Sequence, residues 1–311
     1  MNRTRGVFLL LGGTVCLSTI PIVSKLVLEE VPHVHFTAWW MLSASVWAAI
    51  WAFGFKGAEA RNAIVHAWPR IILAGVFSTG YAFFYFAGLS RLNPAVATFL
   101  VNSRMVWAIA IGMIFLGERY SRGQIVSMLI IAAGVIVVYI DAPPGGEIIG
   151  MLLVILSAIS FVLMSTVAKG TVRSYGVPAV LLGRFVFPTL ALMPVSLAAG
   201  SIIPYLTTRS LLLLVGGSFI GPFFSFLLIF TALRYLDVGI HTIFHTLNIV
   251  LTTTLTYFVF GTIPAANRMA GGAMVLLGIA LLGLISIRKG RREAEERTPG
   301  AQASSAADAA D

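Results

Sequence analysis

The sequence predicts an all-α integral membrane protein: ten transmembrane helices as two inverted five-helix repeats, with both termini cytoplasmic. Three observations carry this reading. Hydrophobic residues make up 58% of the 311-residue chain and charged residues only 11%, far less charge than a soluble protein of this size needs on its surface. Landmarks recur at an offset of 144 residues: Gly117 returns as Gly261, Gly134 as Gly278, and Ala87-Gly88-Leu89 as Thr231-Ala232-Leu233. The basic residues, finally, crowd into alternate loops.

A helix needs about 20 apolar residues to cross the hydrocarbon core. Ten stretches qualify: 6–28, 34–54, 70–90, 94–116, 122–140, 147–168, 177–199, 209–234, 238–261 and 266–287. Span one carries Thr14, Ser18, Pro21 and Lys25 at helical spacing, span two carries Trp40, and span three carries Ser78, Tyr81 and Tyr85. Asn93-Pro94 opens span four, which shows a small-residue face interrupted by Arg104 and ends at Gly117-Glu118. Pro143-Pro144-Gly145-Gly146 separates spans five and six, so each half holds five spans. Because five is odd, the second half enters the membrane in the opposite sense. Pro21, Pro188 and Gly221-Pro222 interrupt spans one, seven and eight and permit kinks there. Asp237 opens span nine, where His241, His245, Asn248, Thr252 and Thr256 share one face. Spans five and ten are almost wholly apolar, with Gly134, Gly271, Gly272, Gly278 and Gly283, and read as packing or dimer helices.

The domain reading is therefore a first repeat over 6–140, a second over 147–287, and a cytoplasmic tail over 288–311 that is basic and then disordered. Of the 21 Lys and Arg, fifteen fall in the segments assigned to the cytoplasm, three (Arg91, Arg209 and Arg268) outside, and three (Lys25, Arg104 and Arg184) in spans. This positive-inside bias sets the orientation. It also explains the net charge of +9 without nucleic acid. The basic run at 288–292 suits anionic lipid. Arg3 and Arg5 precede a first span longer than a signal core, with no small-residue cleavage site after it, so no cleaved signal is expected. The single cysteine, Cys16, rules out an intramolecular disulfide. Enzyme signatures are missing: no phosphate-binding glycine loop between strand and helix, no nucleophile triad, no paired carboxylates within the membrane. His241 and His245 stand at zinc-ligand spacing, but two ligands make no site. No metal or cofactor is expected.

The run Gly117-Glu118-Arg119 through Gln124, followed by apolar residues to Gly134, resembles the signature that closes an EamA repeat of the drug/metabolite transporter superfamily. The second half is similar at 233–237, Gly261 and Gly278, and in Pro178 followed by Arg184. The resemblance covers about residues 6–288. It implies a ten-helix protein of the cytoplasmic membrane, mostly an exporter of amino acids and other small metabolites. The chain departs from the pattern at Thr262, where the family favours Glu, and at Trp40, near the first-half place of the family arginine. Arg104 and Asn248 stand where proline is common.

Ionisable groups inside membrane helices are costly and are functional candidates by default. Arg104, ten residues into span four, lies about 15 Å deep, near the middle of the membrane. The spans hold no acidic residue well inside them, so the partner of a buried cation is a helix-terminal carbonyl, a loop carboxylate such as Glu29 or Glu30, a chloride, or a substrate carboxylate or phosphate, which an arginine fork binds bidentately. The expected substrate-binding set is Arg104 for the anionic group, with Asn248 facing it from the second half, and Arg184, for which substrate contact and structural pairing are both open. Tyr81, Tyr85 and Trp40 pack against an apolar portion. Thr252, Ser18, Lys25 and His245 complete the walls, His245 as a neutral hydrogen-bonded histidine or, alternatively, a proton-responsive one. The predicted function is secondary transport, in the export direction, of an amino acid or other carboxylate-bearing metabolite. It proceeds by alternating access between the halves in the bacterial inner membrane. Alternatives are a non-transporting membrane metabolite sensor or assembly partner, and a lipid-linked-sugar flippase. Expected partners are the small-molecule substrate, membrane lipid and a second copy in a homodimer, with no nucleic acid.

Overall fold

The computed structural model describes the backbone over residues 3–115, 117–140, 145–232 and 238–307, and side chains within these ranges except at 3–4, 173, 238–246 and 289–307. The elements are α1 (Arg3–Leu28), α2 (His33–His66), α3 (Trp68–Leu89), α4 (Pro94–Val101), α5 (Arg104–Phe115), α6 (Arg122–Tyr139), α7 (Gly146–Ala198), α8 (Thr208–Ser218), α9 (Ser225–Ala232), α10 (Val238–Phe260) and α11 (Ala266–Ala307). Among the described residues, nine helical segments are long and apolar enough to cross a membrane. The described side chains of α10 add a shorter apolar helix, Leu247–Phe260. Large apolar side chains such as Phe53, Phe115, Leu190, Leu212 and Phe258 are exposed on the outside of the bundle. That distribution suits a lipid solvent.

Local sequence explains the element ends. Asn93 accepts the Ala95 N–H at 2.9 Å and Pro94 follows at the first helical position, so α4 starts there. Ser121 with Gln124, and Thr207 with Ser210, form capping boxes that open α6 and α8. Gly117 and Gly261, one repeat apart, both take φ 63°. Only glycine adopts that left-handed conformation without a Cβ penalty. At Gly117 the Glu118 N–H donates back to the Gly112 carbonyl at 3.0 Å, and at Gly261 the N–H donates to Tyr257 at 2.9 Å.

Four departures from the expected spans matter. Span four is two helices, α4 and α5, parted at Asn102 and Ser103. There the chain makes i→i−3 bonds, Ser103 N–H to Leu100 at 3.0 Å and Val106 N–H to Ser103 at 2.8 Å, as in a 3₁₀ turn. The Asn102 side chain donates to the Thr98 carbonyl at 2.7 Å. Span eight, kinked as expected at Gly221-Pro222, does so through a π-helical segment (Phe219–Phe224), where the Ser225 hydroxyl takes up the Gly221 carbonyl. Spans six and seven are two helical segments of α7 that meet directly at a kink, where Gly176 (φ 83°) leaves the helical conformation. The stretch expected as a disordered tail continues α11 to Ala307. Its content of Ala, Glu and Arg favours helix.

The two halves are related by a two-fold exchange. A Cβ on Gly134 would meet the Gly271 carbonyl at 2.7 Å and the Val275 nitrogen at 2.9 Å. One on Gly278 would meet the Ser127 carbonyl at 3.0 Å and the Ile131 nitrogen at 3.1 Å. Shifting each residue by one repeat converts the first pair of contacts into the second, as a self-complementary interface requires. Elsewhere on the relation Thr189 Oγ1 lies 3.5 Å from Ser45 Oγ, 144 residues earlier. The glycine faces of spans five and ten are thus used on each other, within the chain.

The halves also exchange their first helices. α1 packs against the second half: Gly13 lies against Ile229 and the Ser225 carbonyl, and the Thr252 hydroxyl donates to the Ser18 carbonyl at 3.3 Å. Reciprocally, the first segment of α7 packs on α3, with Gly88 against Gly150 and Val154. The close α6–α11 approach predicts that Gly134→Ala destabilises the protein by about 1–3 kcal/mol. Gly170→Ala, at an exposed helical position where a Cβ meets nothing within 4 Å, is the matched control and raises stability by up to about 1 kcal/mol; unfolding in detergent micelles measures both.

Candidate functional site

Two irregular helices converge on the middle of the bundle and aim cations into it. The break in span four makes Arg104 the first residue of α5, so its guanidinium sits at the positive end of a helix dipole. Arg184 follows the Gly176 turn by two helical turns in α7. Both are buried, 6% and 3% exposed. Arg104 Nη2 donates to Asn102 Oδ1 at 3.4 Å and its guanidinium lies 4.8 Å from the Phe161 ring centre. Arg184 lies 5.6 Å from the same ring, so the two cations are separated by no more than the sum of these distances.

Arg184 is enclosed chiefly by aromatic faces: Phe226 at 3.9 Å, Tyr81 at 5.3 Å and Phe185 at 5.9 Å, with Met164 Sδ at 3.6 Å. A desolvated cation–π contact contributes up to about 2 kcal/mol, whereas burying an ion costs several. The rings therefore offset only part of the cost. Among the described residues the ion pairs are Lys56–Glu59 and Arg268–Glu147, neither of which involves Arg184. Its Nε, the Trp40 Nε1 and the Asn248 Oδ1 are buried without hydrogen-bond partners among the described residues.

These groups border two small cavities. The first, about 20 Å³, is lined by Trp40, Ser78, Tyr81, Arg184, Pro222 and Phe226, among others. The second, about 30 Å³, is lined by Pro21, Tyr81, Tyr85, Thr98, Arg104 and Asn248, with Leu17, Ile20 and Val101. Tyr81 and Ile20 border both. Each cavity has room for about one water. The linings also obey the repeat: Trp40 and Arg184, Met41 and Phe185, Ser78 and Pro222, Ala82 and Phe226 are 144 apart, as are Arg104 and Asn248. Both cavities therefore sit on the two-fold relation. A larger crevice, about 220 Å³, is lined by Phe99, Ile249, Val250, Thr253, Gly272 and Leu276 among others and holds no ionisable group.

The sequence-predicted residues divide clearly. Arg104, Asn248, Tyr81 and Tyr85 line the second cavity, and Arg184, Trp40 and Tyr81 the first. Tyr81 and Tyr85 stack at 5.9 Å between ring centres. Thr252 and Ser18 meet each other where α10 crosses α1 and line neither cavity. Lys25 donates to the carbonyls of Leu89 and Ser90 at 3.3 and 3.0 Å, closing the C-terminus of α3, where a cation also complements the dipole. The His245 side chain lies outside the described residues. Phe161, Phe226 and Asn102 escaped the sequence reading. The two phenylalanines look like any apolar membrane residue, and Asn102 carried a signal only through its polarity within an apolar run.

The whole arrangement is that of a multi-pass membrane protein built as a two-fold helical repeat around a buried cationic centre. The chain belongs to the EamA-like transporter family, whose family model matches residues 4–140 and again 148–284. It is 26% identical over 127 residues to a protein of Archaeoglobus fulgidus named as an uncharacterized transporter, the match covering 40% of this chain. This chain spans about 45% of that relative's length. A solved crystal structure shares the fold, with a TM-score of 0.65 and 20% identity over 90% of this chain and 98% of that one. Family membership and the named relative point to a transporter rather than an enzyme.

The placement of Lys25 predicts that Lys25→Met lowers stability by about 1–2 kcal/mol through loss of charged hydrogen bonds, with substrate affinity unchanged. Reduced affinity at unchanged stability would instead return Lys25 to the binding site.

Proposed function

We propose that the protein is a secondary transporter, working as an exporter, for an amino acid or other small carboxylate-bearing metabolite. It acts by alternating access in the bacterial inner membrane with both termini cytoplasmic. The observation that carries this reading is the second cavity, where Arg104 and Asn248, one from each half and equivalent by the repeat, face a common space. An arginine fork binds a carboxylate bidentately, and Asn248 supplies a complementary polar group. Tyr81 and Tyr85 provide faces for the apolar part of a metabolite.

The size of the cavities supports alternating access. A metabolite needs a few hundred Å³, while these hold about 20 and 30 Å³. Loading therefore requires the helices around Tyr81 and Ile20 to part. The exchanged first helices define the moving bodies: α1 travels with α8–α10, and the first segment of α7 with α3. The kinks at Gly176 and in the π segment are the natural hinges. A span-nine helix made of all of α10 completes ten crossings, and the one-sided charge distribution then orients them. The domain limits follow as 6–140 and 147–287. Without a carboxylate well inside any span, uniport or exchange is the expected mode.

Counterflow of labelled carboxylates into liposomes containing purified protein tests this reading. Arg104→Gln is expected to reduce anion counterflow at least tenfold, about 1.4 kcal/mol, at equal incorporation. Equal transport by the variant refutes the role of Arg104, and binding without counterflow of any metabolite favours a sensor.

A further inference from the structure

We infer that a halide ion, chloride in the cell, resides in the cavity shared by Arg184 and Trp40 and serves as the counterion of the arginine. This is the first cavity, not the Arg104 cavity on which the transport reading rests. The juxtaposition that carries it is one small space lined by two buried donor-only side chains, Arg184 at 3% and Trp40 at 0% exposure. The Arg184 Nε and the Trp40 Nε1 both lack a hydrogen-bond partner among the described residues.

Glycines hold the indole in place. Trp40 stands on α2, and a Cβ on Gly217 of α8 would meet its ring at 2.9 Å, while one on Gly221 in the π segment would meet it at 3.7 Å. Phe36 and Phe86 pack on the same ring, at 5.0 and 6.1 Å between centres. Of the six tryptophans Trp40 alone is buried. A buried indole N–H ordinarily finds an acceptor, and even the less buried Trp47 gives its own to the Val215 carbonyl at 3.4 Å. The Trp40 N–H remains unspent.

The lining selects an anion over a water. Guanidinium and indole donate only, and the arginine stays charged. The other groups that accept from Arg184, Met164 Sδ at 3.6 Å and the Tyr81 hydroxyl, are neutral, and cation–π contacts offset only part of the burial cost. Ser78, also on the wall, donates its hydroxyl to the Arg184 backbone carbonyl at 2.9 Å. The remaining wall is apolar or aromatic. A water there meets donors, finds few acceptors for its own hydrogens, and leaves the charge standing. An acceptor-only monovalent ion satisfies both N–H groups and neutralises the guanidinium together. Size narrows the choice further: about 20 Å³ admits one small ion and no organic metabolite, which needs a few hundred. Because Trp40 and Arg184 are equivalent by the repeat, the ion takes one donor from each half.

The test exchanges purified full-length protein in detergent into sodium methanesulfonate and titrates in sodium chloride or bromide at constant ionic strength, with thermal unfolding as the readout. Halide is expected to raise Tm saturably. Trp40→Phe, which keeps a ring and removes the N–H, should raise the half-saturating concentration at least tenfold, and Arg184→Gln should abolish the response. Bromide-soaked crystals of the wild-type protein need no variant, so the inference is tested even where a substitution fails to fold. An anomalous peak in contact with both the Arg184 Nε and the Trp40 Nε1 is expected. No bromide peak in this cavity, no halide effect on unfolding beyond that of methanesulfonate, or Trp40→Phe with wild-type halide affinity overturns the inference. Carboxylate counterflow in liposomes separates it from the transport reading. A halide at Arg184 without counterflow leaves the ion site standing and removes transport, whereas counterflow by a protein with no halide there does the reverse.

Discussion

Holding Arg184 in a membrane-spanning bundle with no carboxylate against it among the described residues is the constraint around which this structure is organised. Four ring faces and a thioether surround the guanidinium, and the helices that bring them cannot all be regular. Phe226 stands two residues past the π segment, Arg184 follows the Gly176 turn, and Arg104 follows the break at Asn102 and Ser103. Each irregularity leaves backbone groups to satisfy in a solvent that offers no hydrogen bonds. Side chains do so at two of them, Asn102 on the Thr98 carbonyl and Ser225 on that of Gly221. Irregular backbone of this sort at membrane depth is tolerated where it lines an internal space, and both cavities lie beside it.

Duplication gives the bundle its frame and its departures from symmetry give the site its chemistry. The frame is conserved at backbone level: matching glycine turns at Gly117 and Gly261, and a self-complementary contact between α6 and α11. On the same relation stand pairs that no longer match, Trp40 with Arg184 and Arg104 with Asn248. A symmetric ancestor of the cavity would present the same group from both sides. Here a donor fork and an amide line one cavity, and an indole and a guanidinium the other, so neither cavity presents the same group from both halves.

Much of this was legible in the chain and some was not, for identifiable reasons. Apolar stretch length and the 144-residue offset revealed the spans and their pairing, because hydrocarbon leaves few ways to satisfy a backbone. Arg104, Arg184, Asn248 and the two tyrosines stood out because polar atoms are conspicuous in such a background. Phe161 and Phe226 did not, since a ring that cradles a cation has the same composition as one that faces lipid. The break in span four went unseen because the Asn102 side chain and the i→i−3 backbone bonds around Ser103 made it, without glycine or proline. Periodicity placed Thr252 and Ser18 on polar faces, but not what those faces meet. They meet each other. Lys25 was visible as a charge, and only the position of the α3 terminus showed its contacts.

The exchange of first helices has a consequence for how the chain is made. α1 is synthesised first, yet the surfaces that bury Leu10, Gly13 and Ser18 belong to helices of the second half. Until those helices are inserted, the first helix must rest in lipid with its small and hydroxyl-bearing face uncovered. The first segment of α7 faces no such delay, because α3 is already in place when it emerges. Assembly therefore closes from the interior of the sequence outward, and the N-terminal helix is the last of the early ones to find its neighbours. A chain truncated at the repeat boundary would strand that helix, so the two copies, although each resembles a complete unit, now exist only as one interlocked body.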